Sequence, residues 1–243
     1  MKEMTMTQHL TELRTRLIRS LICVVIAFFV CYHYGAQIAE FLLAPLRQVL
    51  GDKGQIIYLS ILDKVWAQFQ LCLWSSVIIS SPYWFYQLWA FVKPGLYTKE
   101  ANVIRPFFLV GFFLFCAGVC FGYFGVFPFA FETLLEFGVA DLTAMLSFKD
   151  YLSLAIKILV FLGIVFQLPN IMVILGLMEI ATKQSYRSMR PYVYVAFAVL
   201  AAALTPPDVI TQLALWLPLV CLFEVGIAAV AIIVHPYLAR KYS

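Results

Sequence analysis

The side chains best suited to chemistry in this sequence are a few carboxylates and amides that stand in or beside long apolar runs. Glu100 closes the stretch SPYWFYQLWAFVKPGLYTKE that begins at Ser81, where the aromatic end of one apolar run opens into a short loop before the next. Glu12 stands among Arg14, Arg16 and Arg19 ahead of the first run, and Gln167 and Glu224 lie inside later ones. Glu100 and Glu12 read as carboxylates offered at a membrane surface to a cationic ligand. For Glu12 the plainer alternative is an i,i+4 pair with Arg16, which supports a helix by roughly a few tenths of a kcal/mol. Polar groups inside an apolar run are costly unless paired. Gln167 therefore reads either as an amide satisfied by neighbouring helices or by a carbonyl freed at Pro169, or as a contact for a partner's polar group within the membrane.

The elements that must hold these groups follow from composition. Hydrophobic residues make up 63% of the 243 positions and charged residues 12%, with a mean hydropathy of +0.92. A soluble domain of this length needs far more polar surface, so the excess apolar side chains face lipid. The six cysteines are scattered through the apolar runs with no CxxC pair and read as small apolar fillers; no cofactor or metal is implied. The polar segment 1–19 lacks the pattern of a cleaved leader, so the first span is expected to be retained.

With about 20 apolar residues per crossing as the ruler, six helices are expected, at Leu17 to Ala39, Val65 to Ala90, Pro106 to Phe127, Tyr151 to Met178, Pro191 to Leu204 and Val209 to Val234. Of the 17 Lys and Arg residues, Lys2, Arg14, Arg16, Arg19, Lys93, Lys99, Arg105, Lys183, Arg187, Arg190, Arg240 and Lys241 fall on the side of the termini. Arg47, Lys53, Lys64, Lys149 and Lys157 fall opposite. That asymmetry predicts cytoplasmic termini. The expected fold is an all-α polytopic membrane protein. It forms a single domain over residues 1–243, with a cytoplasmic amphipathic segment 1–16, a concave six-helix bundle over 17–234 and a cytoplasmic tail 235–243. Thr5 to Arg19 is expected to lie on the membrane surface, with Leu10, Leu13 and Leu17 on one stripe and Thr5-x-x-Gln8 as its capping box.

Two spans are short. Pro191 to Leu204 offers about 14 residues, roughly 21 Å of helix against a hydrocarbon core of about 30 Å. The last span is interrupted by Glu224, which leaves about 15 residues in lipid if that carboxylate sits at the interface. Pro106 and Pro191 are expected at helix starts, whereas Pro82, Pro169 and Pro218 fall within runs and are expected to kink them. Gly118 and Gly122 form a GxxxG pattern that implies close helix packing.

Four pieces, in order along essentially the whole chain, carry a resemblance: HLTELRTRL (His9 to Leu17), FVKPGLYTKE (Phe91 to Glu100), RPYVYV (Arg190 to Val195), and TPPD followed by a glutamine and PLVCLFEVG (Thr205 to Gly226). Together they resemble the TatC family, the multispanning core of the twin-arginine protein translocase. The resemblance implies a receptor for the signal peptides of proteins exported already folded, driven by the proton motive force. Cytoplasmic glutamates of the family that contact the signal's paired arginines fall on Glu12 and Glu100, and Phe91, Pro94 and Leu96 match the loop that would shape that site. A guanidinium presents a rigid fork to a carboxylate, so such a pair distinguishes Arg from Lys better than charge alone.

The resemblance also implies single-span partners of the TatA and TatB type and self-association. Pro45 and Asp63 in the first outer loop, Gln167, and Thr205, Pro206, Pro207, Asp208, Gln212 and Glu224 around the last two spans would serve assembly or partner contact. Position 167 departs from family members that carry glutamate, because an amide cannot titrate. Enzyme motifs such as HExxH, G-x-S-x-G and GxxxxGK[ST] are absent from the sequence. A small-solute secondary transporter and a purely structural membrane subunit are the alternatives. The first is disfavoured because no pair of broken helices sits at matched positions in two halves.

Overall fold

The computed structural model describes residues 6–50, 54–92, 98–136, 144–205 and 209–237, with the side chains of 6, 54, 92, 98–105, 134–136 and 144 outside the described set. Helix α1 (Met6–His33) is followed by α2 (Gly35–Leu50), strand β1 (Gly54–Ile57), α3 (Ile61–Ile79), α4 (Ser81–Val92) and α5 (Thr98–Phe121). A π-helical turn, Gly122–Val126, leads into α6 (Phe127–Glu136), then strand β2 (Ala144–Ser147), α7 (Phe148–Val165), α8 (Leu168–Leu177), α9 (Lys183–Leu204) and α10 (Val209–Ala229). The class is all-α, as expected. Among the described residues four helical stretches are long and apolar enough to cross a membrane: Thr7–His33, Pro106–Thr133, Phe148–Leu177 and Val209–Tyr237.

Several boundaries differ from the expected ones, each for a local reason. The amphipathic segment and the first span are one helix, because no Gly or Pro interrupts the chain between Met6 and His33. Pro106 and Pro191 do not start helices; they lie inside α5 and α9. The start of α9 is set by Thr182, whose hydroxyl accepts the Ser185 N–H at 3.2 Å. Pro218 is likewise carried inside α10 without a break.

Pro82 and Pro169, by contrast, stand just beyond true breaks. The second apolar run divides at Ser80 into α3 and α4, and the carbonyl of Val77 at that break accepts the Ser80 hydroxyl at 3.3 Å and the Trp84 indole at 3.0 Å. The fourth run divides at Phe166 and Gln167 into α7 and α8. The thirty-residue stretch through α7 and α8 forms the centre of the molecule: half of its apolar part is buried, against 6% of the apolar part of α1.

The first outer segment is not a loop. Pro45 lies within α2, where its ring leaves the Phe41 carbonyl without its helical donor. The Tyr123 hydroxyl supplies the bond at 2.7 Å while its ring stacks on Phe41, and the Tyr151 hydroxyl bonds the next carbonyl, Leu42, at 2.6 Å. β1 and β2 then pair in parallel, Gly54 opposite Ala144 and Ile57 opposite Ser147, joining the segments that precede α3 and α7. The GxxxG face packs as expected: a Cβ on Gly118 would stand 2.6 Å from the Leu162 carbonyl of α7, and one on Gly122 3.0 Å from the Leu159 side chain.

Candidate functional site

The carboxylate ahead of the first span is built into a seam between α1 and α4. His9, Glu12 and Arg16 fall on one stripe of α1 at spacings of three and four, and Gln87 and Phe91 on one stripe of α4. The helices run antiparallel, so the early residue of one meets the late residue of the other. His9 stacks on Phe91 with ring centroids 4.4 Å apart, and Arg16 Nη1 donates to Gln87 Oε1 at 3.4 Å. Arg16 also approaches Glu12 side-on: its Nε, at 2.9 Å, and its Nη2 both donate to Oε1. Glu12 Oε2 is buried and has no hydrogen-bond partner among the described residues. The arrangement leaves a carboxylate with one oxygen engaged and one uncommitted, beside an aromatic face.

Of the residues expected to form one ligand site, Glu12 and Phe91 are thus brought to the same seam. Glu100 lies in the first turns of α5 with its side chain outside the described residues, and Pro94 and Leu96 lie outside them altogether. The pair predicted as the plain alternative for Glu12 is present, and it coexists with the unengaged oxygen. Gln87, only 5% exposed, and His9 were not anticipated. The signal for Gln87 was its place four residues before Phe91 in an otherwise aromatic run.

Gln167 sits at the break between α7 and α8. Its Nε2 donates to the Gly111 carbonyl of α5 at 2.9 Å and, more weakly, to the Gly163 carbonyl at 3.5 Å. The Gly163 carbonyl is open because the Gln167 N–H turns to Ile164 at the break. Asn170, one turn further and 7% exposed, keeps its Oδ1 buried without a partner. Gly111 admits both amides, since a Cβ there would lie 2.7 Å from Asn170 Nδ2 and 3.0 Å from Gln167 Oε1.

Glu224 is fully engaged. Arg190 Nη2 donates to its Oε2 and the Tyr194 hydroxyl to its Oε1, both at 2.5 Å. The contacts continue down the α9–α10 seam: the Trp216 indole bonds the Tyr194 carbonyl at 2.9 Å, and Gln212 Nε2 bonds the Ala198 carbonyl at 3.2 Å. The Thr205 hydroxyl closes α9 on the Ala201 carbonyl at 2.8 Å. Pro206, Pro207 and Asp208 lie outside the described residues. Asp63, in the first turn of α3, accepts Lys149 Nζ from α7 at 2.8 Å. The partner candidates among the described residues therefore divide between α2 and α3 (Pro45 and Asp63), the α7–α8 break (Gln167) and the α9–α10 seam (Thr205, Gln212 and Glu224).

The residues that sequence reasoning missed are Arg190 and Tyr194 as partners of Glu224, and Asn170. The first two were legible as an i,i+4 pair within RPYVYV. Among the described residues no group of three His, Cys, Asp or Glu side chains could hold a metal ion.

Comparison with known proteins fits this arrangement. The family model for the Sec-independent protein translocase protein TatC matches residues 8–218. A Sec-independent protein translocase protein TatC from Desulforapulum autotrophicum is 37% identical over 221 residues, covering 91% of this chain and 82% of the relative. One from Escherichia coli is 34% identical over 219 residues, covering 90% and 85%. The crystal structure of the twin-arginine translocase receptor TatC superposes with a TM-score of 0.83 at 33% identity, covering 92% of this chain and 98% of that one. Together with the four apolar spans, these likenesses make it a multi-pass protein of a bacterial membrane. The chain belongs to the TatC family of Sec-independent protein translocase proteins and is a component of protein transport, not an enzyme.

Proposed function

We propose that this chain is the signal-peptide receptor of its translocase, reading paired arginines with Glu12 and Glu100 on the cytoplasmic side. Phe91, Pro94 and Leu96 are the other candidates for contact with the signal. The observation that carries the reading is the α1–α4 seam, where the Glu12 carboxylate keeps Oε2 without a partner beside the His9–Phe91 stack. A carboxylate near a low-dielectric surface binds a forked guanidinium through charge-assisted hydrogen bonds, which a point-charge ammonium matches less well. Six crossings place both termini in the cytoplasm, consistent with the bias of Lys and Arg. Single-span partners of the TatA and TatB type dock along α9 and α10 and at Gln167, copies of the chain associate with one another, and the proton motive force drives export of folded cargo.

The test is equilibrium binding of a fluorescent twin-arginine signal peptide to the full chain in lipid nanodiscs, against its twin-lysine version. Preference for arginine that is lost in Glu100→Gln supports the reading. Equal binding of the two peptides moves the recognition site elsewhere.

A further inference from the structure

The Glu12 carboxylate already holds a guanidinium, and that guanidinium belongs to the chain itself. Arg16 satisfies Oε1 through two donors, Nε and Nη2, and its third nitrogen, Nη1, reaches across the seam to Gln87 Oε1 at 3.4 Å. The side chains of Glu12 and Arg16 are 19% and 21% exposed, so the pair is largely withdrawn from solvent. Oε2 is out of contact with solvent as well. An incoming cation therefore gains Oε1, and with it both oxygens of the carboxylate, only as Arg16 withdraws.

Withdrawal leaves the guanidinium a hydrogen-bond acceptor, because Gln87 stands on the facing helix as a second acceptor. Its side chain is 5% exposed and fixed on the α4 stripe that carries Phe91, and an arginine offers five donors over which a contact can be exchanged. We propose that Arg16 is a built-in competitor at Glu12 and that Gln87 is the positioning residue that receives its guanidinium when the signal's arginine takes the carboxylate. The inference rests on the receptor reading above and adds a source of selectivity to it. A lysine ammonium, a compact point charge, cannot replace the two-donor hold of Arg16 on Oε1, whereas another fork can. Discrimination then comes from what the ligand must displace as well as from what it touches.

The experiment measures twin-arginine and twin-lysine peptide affinities for the full chain in nanodiscs, as wild type, Arg16→Gln, Arg16→Lys, Gln87→Leu and the double variant Arg16→Gln/Gln87→Leu. Monodispersity and near-ultraviolet circular dichroism check the fold of each. Removing the fork in Arg16→Gln is expected to strengthen lysine-peptide binding by about tenfold, the equivalent of one charge-assisted hydrogen bond no longer displaced, and to narrow the arginine preference by a similar factor. Arg16→Lys keeps the charge and loses the fork, so it narrows the preference too; a wild-type preference there assigns the effect to simple repulsion and overturns the proposal. Gln87→Leu weakens arginine-peptide binding severalfold in the wild-type background and has no effect once Arg16 is removed. Equal effects of Gln87→Leu in both backgrounds reduce Gln87 to packing and overturn its role. Folded Arg16 variants with unchanged preference overturn the competitor and leave the receptor reading standing, whereas a wild-type protein without preference overturns both.

Discussion

Arg190 and Glu224 meet across the α9–α10 seam at 2.5 Å, which sets the polar start of the α9 apolar run level with the carboxylate that interrupts the longer run of α10. Beyond Arg190, α9 has only the about 14 residues from Pro191 to Leu204 to offer lipid, roughly 21 Å, although the helix itself begins at Lys183. Before Glu224, α10 offers about 15, from Val209 to Phe223. Nitroxide labels at Ala203 and Val225, both exposed, are expected to report a hydrocarbon thickness near 21 Å beside these helices, against about 30 Å elsewhere. Full-thickness spacing would show that the bilayer is not thinned there.

Breaking that contact should cost stability unequally by chemistry. In Glu224→Gln the amide still accepts from Tyr194, and with side chains about a third exposed the lost ion pair is expected to cost only about 1 kcal/mol. Glu224→Leu removes both acceptors and leaves Arg190, whose Nε already lacks a partner, without its carboxylate. That variant is expected to lose about 2 to 3 kcal/mol, read as the larger fall in thermal midpoint of the protein in detergent.

Much of this architecture was legible from the apolar runs, because a bilayer forces long continuous helices and leaves few alternatives. The breaks were harder to place. Pro82 and Pro169 interrupt their helices while Pro45, Pro106, Pro191 and Pro218 do not, and sequence alone does not show which freed carbonyl finds another donor. At Pro45 the donor is Tyr123, 78 positions later. The β1–β2 pair was hidden for the same reason, since four-residue strands 90 positions apart carry no local signal. Glu12 and Phe91 could be named as candidates from the sequence, whereas Gln87, marked only by its spacing from Phe91, and Asn170 owe their interest to what faces them on a neighbouring helix.

Glu100→Gln removes one charge-assisted pair and is expected to weaken twin-arginine peptide binding by roughly 1.5 to 3 kcal/mol. Glu12→Ala should cost less, because Arg16 already competes for Oε1 and the exchange returns only part of a free carboxylate's worth. The two affinities in nanodiscs check the order; a larger loss at Glu12 would make it the principal contact.

Gly118→Ala and Gly125→Ala test the α5–α7 contact. At Gly118 the added carbon would lie 2.6 Å from the Leu162 carbonyl and 3.0 Å from the Gly163 Cα, so backbone must move. A loss of about 1 to 3 kcal/mol is expected. At Gly125 the nearest atoms belong to the Phe121 ring at 3.4 Å, and the same change should be nearly neutral. Equal thermal midpoints for the two variants would contradict close packing at the GxxxG face.

Gln167→Leu separates partner docking from ligand reading. The leucine loses the 2.9 Å bond to Gly111, but that carbonyl belongs to a helix, so the expected loss of stability is only about 1 kcal/mol. The site lies within the apolar span and away from the α1–α4 seam, so peptide affinity should stay at the wild-type value. Gln167 Oε1 and the buried Asn170 Oδ1 are acceptors, and they suit a hydrogen-bond donor from a single-span partner; with leucine in place that donor has only Asn170 to meet. Co-purification of a TatA-type or TatB-type partner from membranes should therefore fall in Gln167→Leu and recover in Gln167→Glu if the partner supplies the donor. Undiminished recruitment in Gln167→Leu would confine Gln167 to tying α7 and α8 to α5 at their break.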